Sequence, residues 1–183
     1  MNPRKKLIEV ALPLEAINEG SKPETENPFL KGHPRALHNW WARTPLSVCR
    51  AVLFAQLVDD PGNDLPRAEA SAERQKLLDF VGRLATWQGM TDEALLAEAR
   101  RLIAKSCGGA APPLWDMFAG RGSIPLEAQR LGLEVTSSDL NPVAVLIQKA
   151  LLHIPRRFAG RPPVNPDYRR DTLGSGKKSQ SPA

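Results

Sequence analysis

The sequence predicts an α/β protein in which a mainly helical N-terminal region leads into one β-α-β unit, and three observations carry that expectation. Apolar residues recur at helical spacing in three stretches between residues 46 and 107; short apolar strand patterns begin at Leu114 and Leu133; and glycines separate the first of those strands from the helix that follows it. The chain has 183 residues, 42% hydrophobic and 25% charged, which suits one domain of ordinary size and excludes a chain unstructured throughout. Its apolar runs, such as Ala51 to Ala55, fall far short of the roughly 18 residues that a membrane span needs. With no basic-then-apolar leader at its start, the chain is expected to be cytoplasmic and to have no membrane partner.

Residues 1–36 read as an extended or loop segment, because Pro13, Pro23, Pro28 and Pro34 interrupt every short apolar piece. Residues 37–110 read as a helical region. Thr44 as N-cap and Pro45 at the first helical position open a helix from Leu46 to Val58, stopped by Asp60, Pro61 and Gly62. A second helix, Ala68 to Gln88, gathers Leu77, Leu78, Val81, Leu84, Ala85 and Trp87 on one face and ends at Gly89. Thr91 caps a third, in which Leu95, Leu96, Ala99, Leu102 and Ile103 repeat before Gly108 and Gly109. Residues 111–155 hold a strand from Leu114 to Phe118, a glycine turn, a helix from Ile124 to Leu131 and a second strand from Leu133 to Ser138. The two strands should lie side by side and parallel, and a last helix from Pro142 to Leu152 should end at Pro155.

The net charge of +5 is unevenly distributed. Residues 1–154 contain 18 basic and 18 acidic side chains, so the excess lies in the segment after them, where Arg156, Arg157, Arg161, Arg169, Arg170, Lys177 and Lys178 face only Asp167 and Asp171. Residues 156–183 are therefore expected to be a basic tail that does not fold by itself and attracts phosphate. Cys49 and Cys107 have neither CxxC nor Cys/His spacing, which indicates reduced thiols and no metal site.

The chemistry concentrates where the first strand gives way to a helix. Gly120 and Gly122 would let the backbone turn tightly, with Ser123 as helix cap and Pro125 in the first turn, leaving free amides toward a ligand. Asp139, seventeen residues beyond Gly122 at the end of the second strand, stands where a carboxylate accepts both hydroxyls of a ribose. Pro125 occupies the position where a dinucleotide loop needs a third small residue, and Asp116 would repel a pyrophosphate while attracting an ammonium group. A nucleoside-containing cofactor with a cationic end is the expectation, with S-adenosylmethionine favoured over NAD.

The run Trp115 to Ala128, with Gly132 to Val135 and Ser138 to Ala144, resembles the cofactor motif of amino-methylating DNA methyltransferases, Asp-x-Phe-x-Gly-x-Gly. More closely, with Leu7 to Pro13, His38 to Leu46 and Phe158 to Pro166, the chain resembles the N-terminal part of large adenine-specific DNA methylases whose leading segment is a domain of unknown function. That resemblance implies the first β-α-β unit of a Rossmann-like methyltransferase sheet, incomplete here. It places Asp116, Gly120 and Gly122 along the methionine part of S-adenosylmethionine, with Phe118, Ala119 and Ser123 also among the cofactor-binding residues. Asp139 falls on the ribose, with Leu140 and Asn141 bordering the adenine. Met117 replaces the usual proline, and Arg121 puts a bulky cation inside the loop.

His38, Trp40, Trp41 and Arg43 form a second cluster, suited to stacking on an extruded base and contacting phosphate; the alternative is that one tryptophan packs in the core. Asn165 to Tyr168 imitates the Asn-Pro-Pro-Tyr of this class with the wrong third residue, and Gly176 to Ser179 lacks the first glycine and the strand of a phosphate loop. Neither is taken as a site, so no catalytic residue is assigned. The expected function is therefore the cofactor-binding portion, truncated or split, of a DNA adenine methyltransferase whose partners are DNA and a second polypeptide with the catalytic half. The alternative is a non-enzymatic DNA- or partner-binding remnant. A third reading is an RNA or small-molecule methyltransferase, since the cofactor motif alone does not define the methyl acceptor.

Overall fold

The computed structural model describes residues 4–27, 32–42 and 44–161. Arg43, Asn165 to Tyr168 and Gly176 to Ser179 lie outside the described residues, as does most of the basic tail.

The chain is mainly helical and carries a two-stranded parallel sheet. Its opening departs from the expected extended segment, since α1 covers Leu7–Val10 and α2 covers Leu14–Glu26. Pro13 stands before the first turn of α2 and Pro23 is accommodated within it, while Ile17, Ser21 and Glu24 form its buried side. Tertiary burial overrides the proline signal here.

Helix α3, Leu46–Leu57, begins where the sequence indicates but is capped differently. Pro45 stands at the N-cap, and the amides of Leu46 and Ser47 donate to the Glu24 carboxylate of α2, at 2.7 and 2.8 Å. A carboxylate reaching across from another helix thus does what Thr44 was expected to do. Helix α4, Arg67–Leu84, ends before the expected Gln88. Arg50 donates to the carbonyls of Leu84 and Thr86 at 2.8 and 2.7 Å, so a guanidinium takes over the carbonyls of the last turn. Helix α5 covers Glu93–Ser106, and its cap is Asp92, whose carboxylate accepts from the Leu95 amide at 3.0 Å, in place of Thr91.

Strand β1, Leu114–Asp116, pairs in parallel with β2, Val135–Ser137, in the register Leu114 to Val135, Trp115 to Thr136 and Asp116 to Ser137. Between them lies α6, Ser123–Arg130, which packs on both strands and on α3. Leu7, Phe54, Val81, Leu84 and Ile103 share one core with Ala128, Leu131 and Leu133, so the helical region and the β-α-β unit bury a common apolar interior. Helix α7 covers Pro142–Gln148, followed by a π turn over Lys149–His153 and by α8, Ile154–Phe158. Pro155 was expected to end the helix. It sits instead in the first turn of α8, directly after the widened turn, where a missing N–H costs least.

Candidate functional site

Parallel pairing brings the ends of β1 and β2 to one edge, and Asp116, Gly120 and Asp139 meet there around a cleft of about 280 Å³. The loop between β1 and α6 is held from three sides. The Ala119 amide donates to Ser138 O at 3.0 Å, the Gly120 amide donates to Asp139 Oδ2 at 2.8 Å, and Gln148 of α7 donates to Gly120 O at 2.8 Å. Asp139 also accepts the Asn141 amide through Oδ1 at 2.8 Å, and Asp116 accepts the Phe118 amide at 3.2 Å. The expectation of free glycine-loop amides is corrected by this geometry: the Gly120 and Gly122 amides are used inside the fold, the latter on Ala119 O at 2.7 Å. What the strand ends offer the cleft is carboxylates: Asp116 accepts one amide and Asp139 accepts one on each oxygen, and both keep further lone pairs.

Gly120 has φ 53° and Gly122 has φ 87°, a region that L side chains rarely adopt. A Cβ on Gly120 would also come within 2.9 Å of Trp40 Nε1, so the absence of a side chain is what lets the indole close over the loop. Gly122, not Ser123, stands at the N-cap of α6; Ser123 is the first residue of the helix, and its Oγ accepts from Arg121 Nε at 3.0 Å. Asn141 caps α7 by accepting the Val143 amide at 2.9 Å, while Leu140 beside it is 92% exposed and Phe118 is 77% exposed.

The two clusters that the sequence presents separately are neighbours in space. Trp40, Ala42 and Thr44 line the same cleft as Asp116, Gly120 and Asp139. Trp40 is half-buried and meets Trp41 edge-on, with centroids 4.7 Å apart, and Trp41 is 81% exposed; His38 is exposed and lies 6.4 Å from Trp40. Neither tryptophan belongs to the buried core.

Several charged groups that position this site carry no sequence motif. Arg50 and Glu127 form a buried pair at 2.7 Å between α3 and α6, and Arg130 binds the other Glu127 oxygen. Burial pushes the Glu127 carboxyl above its usual range, against the opposing pull of Arg50 and Arg130. Arg121, 6% exposed, donates through Nη2 to Thr44 O at 3.1 Å and so ties the glycine loop to the segment before α3. Behind it is a second cavity of about 220 Å³, lined by Glu24, His33, Trp40, Thr44 and Arg121 among others. Arg50, the only charged residue between Leu46 and Leu57, and a glutamate between Leu126 and Ala128, are the signals that could have revealed the Arg50–Glu127 pair.

Residues 11–80 match the model of a family described only as a protein of unknown function (DUF1156). The match spans α2, α3 and most of α4, and includes Glu24, Trp40 and Thr44. No curated protein and no solved structure matches the chain significantly. Among the described residues no helix is long and apolar enough to cross a membrane, and no cluster of metal-binding side chains is present.

Proposed function

We propose that the chain is the cofactor-binding portion of an S-adenosylmethionine-dependent DNA adenine methyltransferase, carrying the first β-α-β unit of a Rossmann-like sheet but no catalytic motif. The observation that carries the reading is the convergence of Asp116, Gly120 and Asp139 at one edge of a parallel pair, around a cleft close in volume to small-molecule sites. The donor set suits this cofactor. Asp139 has acceptor capacity left for a ribose, Asp116 is a carboxylate for a cationic end, and the φ values at Gly120 and Gly122 favour glycine, which leaves those two positions without side chains. When bound, the group supplies a methyl activated by its sulfonium. This chain's part is to hold it in place.

DNA and a second polypeptide are the partners in this reading. His38, Trp40 and Trp41 at the cleft mouth supply aromatic surface for an unstacked base, and the basic residues from Arg156 onward supply counter-charge for phosphate. The exposed side chains Trp115, Phe118 and Leu140 favour a polypeptide partner, since parallel sheets are ordinarily covered on both faces.

Calorimetry with S-adenosylmethionine tests the reading. The wild-type chain is expected to bind it, and Asp139→Ala to weaken binding by about 1–3 kcal/mol. Absence of binding to the wild type, or equal affinity in the variant, overturns it.

A further inference from the structure

We infer that Arg121 is the carboxylate-recognising residue of this cleft, which pairs with Asp116 to read the zwitterionic amino-acid end of the ligand, and that the segment of unknown function fixes its aim. The inference rests on the cofactor reading above and deepens it. Both charged groups line the same cleft, Asp116 on β1 and Arg121 in the loop before α6. An ammonium and a carboxylate on one carbon need an anionic and a cationic partner a short distance apart, and the cleft offers one of each beside Gly120.

Arg121 is not a surface cation that drifts in and out of range. It is nine-tenths buried, and its guanidinium is held by Ser123 Oγ on one side and Thr44 O on the other, at 3.0 and 3.1 Å. Arg121 lines both the 280 Å³ cleft and the 220 Å³ cavity, and these two contacts fix the plane of its guanidinium. Thr44 lies within the matched 11–80 segment, as does Trp40, whose ring covers Gly120. The role this gives the segment is to orient the cation and to close the cleft over the glycine loop.

Three ligands separate the possibilities by calorimetry: S-adenosylmethionine, its decarboxylated analogue, and methylthioadenosine, which lacks the whole amino-acid end. The wild-type chain is expected to bind S-adenosylmethionine about tenfold or more tighter than the decarboxylated analogue. Arg121→Gln should remove that preference, bringing the affinities for S-adenosylmethionine and its decarboxylated analogue together, with circular dichroism and methylthioadenosine binding reporting that the variant is folded. Equal wild-type affinity for the first two ligands overturns the inference without any variant. So does an Arg121→Gln protein that binds methylthioadenosine normally and keeps the preference. If the wild type binds none of the three, the cofactor reading itself fails, and this inference with it.

Discussion

Glu24 is a buried carboxylate whose role is set by the groups that point at it. Burial works to raise its pKa, but hydrogen bonds from His33 and from the amides of Ser47 and Leu46 outweigh burial and bring it down from 4.5 to about 2. A carboxyl whose folded pKa is depressed stabilises the fold fully above its unfolded value, and that contribution is lost as pH falls from about 4.5 toward 2. The shift corresponds to about 3 kcal/mol. Urea unfolding of the wild type and Glu24→Gln across this range should show the variant less stable at pH 7 by about 1–3 kcal/mol and much less sensitive to acid. Parallel acid curves for the two proteins would remove Glu24 from that role. Cys49 makes a second residue-scale case: burial, reinforced by Glu127 and Glu24, pushes its thiol up to about 12, whereas Cys107 is only partly buried. Iodoacetamide at pH 8 should label Cys107 in the folded chain and reach Cys49 only after unfolding, as mass spectrometry of the peptides would show. Rapid native labelling of Cys49 would contradict this.

The elements that join the helical region to the β-α-β unit depend on charge pairs that periodicity does not reveal. Arg50 occupies a position that an apolar stripe would give to leucine, yet it binds Glu127 of α6 and two carbonyls at the end of α4. Removing one member of a buried pair strands the other, so Arg50→Leu should destabilise the chain by about 3–5 kcal/mol. Arg50→Leu combined with Glu127→Leu should cost less than the sum of the two single changes, because the double variant leaves no uncompensated buried charge between α3 and α6. Denaturant unfolding of the four proteins measures the coupling; additive losses would show that the pair does not act as a unit. The same residues explain what was legible. Helices α3, α4 and α5, both strands and the meeting of Asp116, Gly120 and Asp139 follow from apolar spacing and turn chemistry, which are local. Missed were α2, whose helix is favoured by burial of Ile17 and Glu24 despite its prolines, and the caps contributed by Glu24 and Arg50 from distant helices. The contact of Trp40 with Gly120 was missed for the same reason, since 80 residues separate them and no spacing rule connects them.

At the scale of the whole molecule, the fold invests its burial on one side. Residues of α1 to α6 share the apolar core, whereas Trp115, Phe118, Leu140 and Leu146 around the sheet and α7 remain exposed. Among the described residues the sheet has two strands, so each strand has one edge without a strand partner. This arrangement bears on activity. Methyl transfer to an amine requires acceptors that stabilise the charge developing on nitrogen, and a wall that keeps the extruded base in line with the methyl. The sequence contains no Asn-Pro-Pro-aromatic run to supply them, and the cleft residues Asp116, Arg121 and Asp139 are all committed, in the proposed reading, to holding the cofactor. Holding one reactant without aligning the other forgoes the rate advantage of proximity, about 7–11 kcal/mol in favourable intramolecular cases. The purified chain should therefore transfer no labelled methyl from S-adenosylmethionine to unmethylated double-stranded DNA, even at concentrations that saturate the cleft. Adding a polypeptide that carries an Asn-Pro-Pro-aromatic strand and covers the Trp115 face should restore transfer. The restored activity should fall when Trp115 is changed to a charged residue, while cofactor affinity of the chain alone stays as it was. Robust transfer by the chain alone would mean that groups already in the cleft serve as the acceptors, and would make Asp116 the first residue to substitute.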